Sequence, residues 1–225
     1  LVEARGTVVL VYSAKGGVGK TTTSLNLAAS LAANSEESVV VVDLDLQFGD
    51  VGVAIGRNEP SKSIVDLASE PQSPSIEKIQ KSLERVDDNL YALLAPSDPA
   101  QADRVSPQLV EGVLEQLAGS FDWVVIDSPP AFTDEILAAF DHADVQVLVS
   151  TPDLASIKNL SVASATLEKI GLDKSPRCVV LNRFDSKSGM DRSELSRAAK
   201  NIAATSDVFV VPDHAPILKS SSRGY

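Results

Sequence analysis

Residues 14–22 read Ala-Lys-Gly-Gly-Val-Gly-Lys-Thr-Thr. Gly19, Lys20 and Thr21 fill the last three places of the phosphate-loop pattern G-x-x-x-x-G-K-[ST]. Ala14 stands where its first glycine usually sits. In such a loop Gly16, Gly17, Val18 and Gly19 turn backbone N–H groups inward onto phosphate oxygens. Lys20 would reach the β- and γ-phosphates, and Thr21, with Thr22 behind it, would set its hydroxyl on Mg²⁺. Lys15 is one cation more than the pattern needs. Two carboxylate sites join the loop: VVVVDLDLQFGD with Asp43 and Asp45, and WVVIDSPP with Asp127. Taken alone, an aspartate after an apolar run is an ordinary turn residue. Beside a phosphate loop, Asp127 would hold Mg²⁺ through water. Asp43 and Asp45 point in opposite directions if their segment is extended, so they need not share a role. The chemistry implied is phosphoryl transfer, where placing water in line and neutralising charge do most of the work.

These groups meet only if the chain delivers them to one edge of a sheet. Residues 7–13 (TVVLVYS) form a β-branched apolar run that suits a strand buried on both faces. From Thr21 the chain reads TTTSLNLAASLAA, a helix with Leu25, Ala28, Ala29 and Leu31 as its apolar face. Its N-terminus would offer free N–H groups and a favourable dipole to the phosphates. Strands are expected at 8–12, 39–43, 90–94, 123–127, 145–150, 178–182 and 208–211. Helices are expected at 21–33, 76–86, 107–118, 134–141, 154–170 and 191–204. The 107–118 segment gathers Leu109, Val110, Val113, Leu114 and Leu117 on one face, and Ser106 before Pro107 suits an N-cap followed by an N1 proline. This alternation predicts an α/β fold, a doubly wound, mostly parallel sheet flanked by helices, with ligands outside the carboxyl ends of the strands. The Pro/Ser-rich stretch 58–75 reads as a surface excursion.

Composition narrows the classes. The 225 residues suffice for one domain with a sizeable core, built from aliphatics because aromatics make up only 4%. With 31 acidic against 20 basic residues, binding to the nucleic-acid backbone is not the expected main activity. The lone Cys178, in the apolar run CVVLN, reads as a small core residue. A single cysteine excludes an intramolecular disulfide and points to a reducing cytoplasm. No run is long enough to span a bilayer. His142 and His214 have no partner set for a triad or metal site and read as surface residues. The start at Leu1 reads as that of a fragment of a longer protein.

The combination AKGGVGKTT, DLD, VVIDSPP, LNR and VVPD resembles the MinD/ParA family of ATPases with a deviant Walker A motif, from about Val8 to Leu218. The resemblance implies a single P-loop ATPase domain over 1–225, with ATP and Mg²⁺ as cofactors. It implies that Lys15 is the signature lysine, which crosses the interface of an ATP-dependent homodimer and touches the partner's nucleotide. It places Asp45 near the γ-phosphate as the residue that positions water, and Asp43 nearer the Mg²⁺ shell with Thr21 and Asp127. At the adenine end it assigns Asn182 and Arg183, then Pro212 and Asp213, followed by Ala215-Pro216-Ile217-Leu218-Lys219. The loop Thr151-Pro152-Asp153 would approach the dimer face. VVDLDLQFGDVGVAIG and Thr151-Pro152-Asp153-Leu154 look most like the CpaE/TadZ branch associated with Flp pilus assembly, although many chains of that branch have degenerate phosphate loops and this one is intact. Such chains usually carry an N-terminal receiver-like domain. The expected partners are proteins of a pilus or polar assembly, with recruitment to the pole or inner face of the membrane. Alternatives are a DNA-binding partition ATPase, a membrane-cycling MinD-like regulator, which would need an amphipathic C-terminal helix, and a metabolic enzyme of the dethiobiotin-synthetase type.

Overall fold

Valine runs make the centre of the sheet, because a strand covered on both faces needs apolar residues at every position. The computed structural model describes residues 5–34, 36–57, 62–69, 74–185, 191–205 and 207–213. Its strands are β1 (Thr7–Tyr12), β2 (Val39–Asp43), β3 (Glu84–Arg85), β4 (Leu90–Leu93), β5 (Trp123–Asp127), β6 (Val145–Ser150), β7 (Arg177–Phe184) and β8 (Asp207–Pro212). Among the described residues they form one sheet in the order β3-β4-β2-β5-β1-β6-β7-β8. Every neighbouring pair is parallel except β3 with β4. The helices are α1 (Lys20–Asn34), α2 (Val51–Ala54), α3 (Ile76–Ser82), α4 (Pro107–Ala118), α5 (Asp134–His142), α6 (Leu154–Lys169) and α7 (Arg192–Ala203). Val8, Leu10 and Tyr12 of β1 pack into one core with α4, α5, α6 and α7. Val9 and Val11 pack into the other, against α1. The expected doubly wound α/β fold is therefore the observed one. Strand β1 lies between β5 and β6, so the chain leaves it at the point where strand order reverses, where such sheets bind ligands.

Four expectations need correction. The helix expected over 76–86 ends at Ser82, and Leu83 is extended. Leu83 and Val86 continue the spacing of Ile79, but Val86 N–H bonds the Leu90 carbonyl at 2.9 Å and Glu84–Arg85 pair with the open edge of β4. Sheet pairing outweighs a helical period that has little left to bury. The stretch 58–75 is not all surface: Ile64, Val65 and Leu67 are buried in a 3-10 turn. Each such side chain contributes about 1.5–3 kcal/mol on burial, enough to override a polar local composition. Ala29 is exposed, whereas Ala28, Leu25 and Leu31 of α1 face the sheet. The Ser106 cap is observed, with Leu109 N–H bonded to Ser106 Oγ at 3.2 Å and Pro107 opening α4. Cys178 packs at the edge of the second core, where burial raises its thiol pKa. His142 is half-buried, not surface, and its Nδ1 lies 3.0 Å from the Ala138 carbonyl; His214 is outside the described residues.

Candidate active site

The loop after β1 turns through Gly17 (φ 72°) and Gly19 (φ 97°), a left-handed backbone that glycine adopts without strain. Gly16 and Gly17 face solvent, Val18 is buried, and α1 begins at Lys20. Thr23 ties the joint by donating its hydroxyl to the Gly19 carbonyl at 2.8 Å. Lys20 itself is only 8% exposed. Burial lowers its pKa, against the pull of Asp127 and Asp45. Asp127, at the end of β5, is 1% exposed. Burial pushes its carboxyl up to about 6, against hydrogen bonds from Thr21 and Ser24 and the charge of Lys20. A desolvated cation and a desolvated carboxylate thus stand side by side. A phosphate at Lys20 and a cation at Asp127 would each restore what burial removed. Mg²⁺ takes one or two carboxylates and its nucleotide's phosphates, so Thr21 and Asp127 fit it. Bound there, the ion would neutralise phosphate charge. Sequence reasoning missed Ser24, whose hydroxyl reaches Asp127 Oδ1 at 3.0 Å. Its signal was spacing: it lies one helical turn beyond Lys20 and Thr21.

The register of the sheet brings the acidic groups together, with Asp43 directly opposite Asp127. Asp43 is buried, and desolvation, then Asp127, hold its carboxyl well above the usual range. Both its oxygens serve its own loop: Asp45 N–H bonds Oδ1 at 3.1 Å and Val51 N–H bonds Oδ2 at 3.2 Å. Any share of Asp43 in the Mg²⁺ shell would add to this clasp. Asp45 lies in the loop so closed, near enough to act on Lys20, with Phe48 N–H on its Oδ1 at 3.3 Å. The clasp requires Gly49, since a β-carbon there would stand 2.4 Å from Asp43 Oδ2 and 2.6 Å from the Ala95 β-carbon. Gly49→Ala should therefore cost about 1–3 kcal/mol of stability. It should slow ATP hydrolysis more than it weakens ATP binding. Urea unfolding and parallel binding and turnover assays check both, and wild-type turnover would refute the role of the clasp.

Lys15 stands apart from this cluster. In the single chain its ammonium pairs with Asp153, at 2.9 Å to Oδ1 and 3.1 Å to Oδ2. Asp153 also accepts from the Thr151 hydroxyl at 2.6 Å and caps α6 through Ser156 N–H at 2.9 Å. Thr151, then Lys15 and Ser156, pull its carboxyl down to about 2. The Thr151-Pro152-Asp153 loop is thus tied to the phosphate loop, with an open cavity of about 400 Å³ between them. At the other end Arg183 and Pro212 are exposed on paired strands, Phe184 lying opposite Pro212. Asp213 N–H is committed to the Phe184 carbonyl at 2.9 Å, so this group, expected to meet the base, is already bonded. Asn182 is engaged on the loop side: its amide donates to the Val18 carbonyl at 2.8 Å. Residues 215–219 lie outside the described residues.

A family model described as "AAA domain" matches residues 6–178. The septum site-determining protein MinD of Helicobacter pylori is 32% identical over 229 residues, which cover 96% of this chain and 82% of that protein. The chain belongs to the MinD/ParA family of P-loop ATPases. A ParA family ATPase from Chlorobium tepidum superposes with a TM-score of 0.84 at 20% identity, covering 98% of this chain and 90% of that one. MinD from Pyrococcus horikoshii, solved with Mg-ADP, does so with a TM-score of 0.79 at 22% identity, covering 97% and 86%. At these identities the two structures speak for the MinD/ParA fold. Among the described residues of this MinD/ParA chain, no helix is long and apolar enough to cross a membrane.

Proposed function

We propose that this chain is a Mg²⁺-dependent ATPase of slow turnover, and that ATP closes it into a homodimer that positions a cellular machine. The convergence of Lys20, Asp45 and Asp127 on one phosphate loop, with Lys15 outside that cluster, supports this reading. Water, oriented by Asp45, attacks the γ-phosphorus, and the bond to the β-phosphate oxygen breaks to give ADP and phosphate. Charge on the transferring group is met by Lys20. Lys15 would leave Asp153 for the nucleotide of a second subunit, so each site is completed only in the pair. Light scattering with Mg·ATP, Mg·ADP and no nucleotide tests this. A doubled mass is expected with Mg·ATP alone, and a monomer in all three conditions would refute the switch.

The machine we assign is a pilus or polar assembly, on the strength of D-L-D-L-Q-F-G-D and T-P-D-L, reached from the cytoplasm. A MinD-like division-site role is the second reading, favoured by the Helicobacter pylori relative. A partition role would need a basic face in the dimer. Arg192, Arg197 and Lys200 are exposed on α7, and Lys187 lies outside the described residues. Against them stands a net charge of −11 per chain, doubled on dimerisation. Nonspecific duplex DNA should therefore show no appreciable binding at physiological salt, even with ATP and Asp45→Ala used to populate the dimer. Tight, ATP-dependent, salt-sensitive binding in a fluorescence-anisotropy titration would favour partition instead.

A further inference from the structure

We propose that Asn182 is a positioning residue of the phosphate loop, holding the loop in its phosphate-binding form whatever base the nucleotide carries. The proposal rests on reading this loop as the ATP site. A loop that turns its N–H groups inward onto phosphates must turn carbonyls outward, and each buried carbonyl then needs a donor. Val18 is only 1% exposed, and the donor to its carbonyl is Asn182 Nδ2 at 2.8 Å. The two residues are 164 positions apart in sequence. The side chain also fits the loop by shape. A β-carbon on Gly19 would stand 2.2 Å from Asn182 Nδ2 and 3.5 Å from its Cγ, so the amide occupies the space that only glycine leaves open.

The far side of the amide is equally committed. Asn182 Oδ1 accepts the backbone N–H of Arg183 at 3.0 Å. This sets the orientation: the oxygen takes the N–H, and the nitrogen is left to meet the carbonyl. Arg183 adopts φ 56°, a left-handed backbone that an L side chain rarely takes, and the pairing of β7 with β8 is irregular between Leu181 and Phe184. Strain of this kind persists only where the surrounding structure over-determines it. Here it turns the end of β7 so that Asn182 reaches past β6 to the loop that follows β1. One Nδ2 hydrogen remains, so a bond to adenine is compatible with the brace. The strand end nearest the base would thereby govern how well the phosphate loop is formed.

The test compares Mg·ATP with base-free Mg·tripolyphosphate on wild type, Asn182→Ala and Asn182→Ser by titration calorimetry. Hydrogen exchange of the amides of residues 17–20 is followed in the nucleotide-free proteins. Loss of one buried hydrogen bond should weaken both ligands by a similar factor, about tenfold. The loop amides should exchange faster in both variants before any ligand is added. Loss of ATP affinity with wild-type tripolyphosphate affinity would make Asn182 a base contact only and overturn the proposal. Unchanged affinities and exchange would overturn it too, as would loss of the cooperative thermal transition in both variants, which would mark a residue of general stability. If wild type itself binds neither ligand, the ATP-site reading fails, and the exchange comparison still decides the brace.

Discussion

Lys20→Ala is expected to weaken ATP binding about 30- to 150-fold, from the loss of charge-assisted bonds together worth about 2–3 kcal/mol. The site geometry makes this the largest single binding effect. Lys20 is buried beside Asp127, so its removal leaves the phosphate charge near a carboxylate without the lysine that would offset it. Thr21→Ala should behave differently. Thr21 acts to lower the pKa of the Asp127 carboxyl, and its hydroxyl is the group expected on Mg²⁺. Its loss should leave metal-free ATP binding nearly intact while removing the gain in affinity that Mg²⁺ confers. Calorimetry with ATP in EDTA and in Mg²⁺ separates the two cases. Wild-type Mg·ATP affinity in both variants would refute the phosphate-site assignment.

Asp45→Ala should hold ATP but hydrolyse it about 10²-fold more slowly, since misplacing a reacting group has that order of cost. The Asp45 loop is closed by Asp43 and Gly49, and the Asp45 carboxylate lies within electrostatic reach of Lys20. The variant should accumulate as an ATP-loaded dimer, because in the proposed cycle hydrolysis is the step that ends the dimer. Lys15→Ala should do the reverse. It removes a side chain that in the single chain touches Asp153 and not the phosphate cluster, so ATP should still bind while the dimer fails to form. Phosphate release together with light scattering in Mg·ATP reads out both variants. Wild-type turnover by Asp45→Ala would misplace the water-orienting carboxylate, and a normal dimer of Lys15→Ala would remove its role in trans.

Much of this molecule is legible without coordinates, for reasons that are local. Among the described residues, seven of the eight strands announce themselves as apolar runs, since a strand covered on both faces admits little else. Cap residues such as Ser106 with Pro107 mark a helix start within a few positions. The phosphate loop is legible because its conformation demands glycine, lysine and threonine in sequence. Elements whose stability comes from distant partners are not legible. Glu84–Arg85 become a strand only because β4 has an open edge, and Ile64 is held by the Leu94 carbonyl at 2.9 Å, 30 residues away. The roles of Asp43, Asn182 and Asp153 divide along the same line. Residue type and spacing by themselves pointed to a nucleotide site at the carboxyl edge of this sheet. Only the tertiary structure decided that Asp43 clasps its own loop, that Asn182 donates to the Val18 carbonyl, and that Asp153 holds Lys15 in the single chain. Each of these rests on a hydrogen bond or ion pair whose partner depends on strand order, register or the close approach of two loops, and none of those is written in the spacing of neighbouring residues.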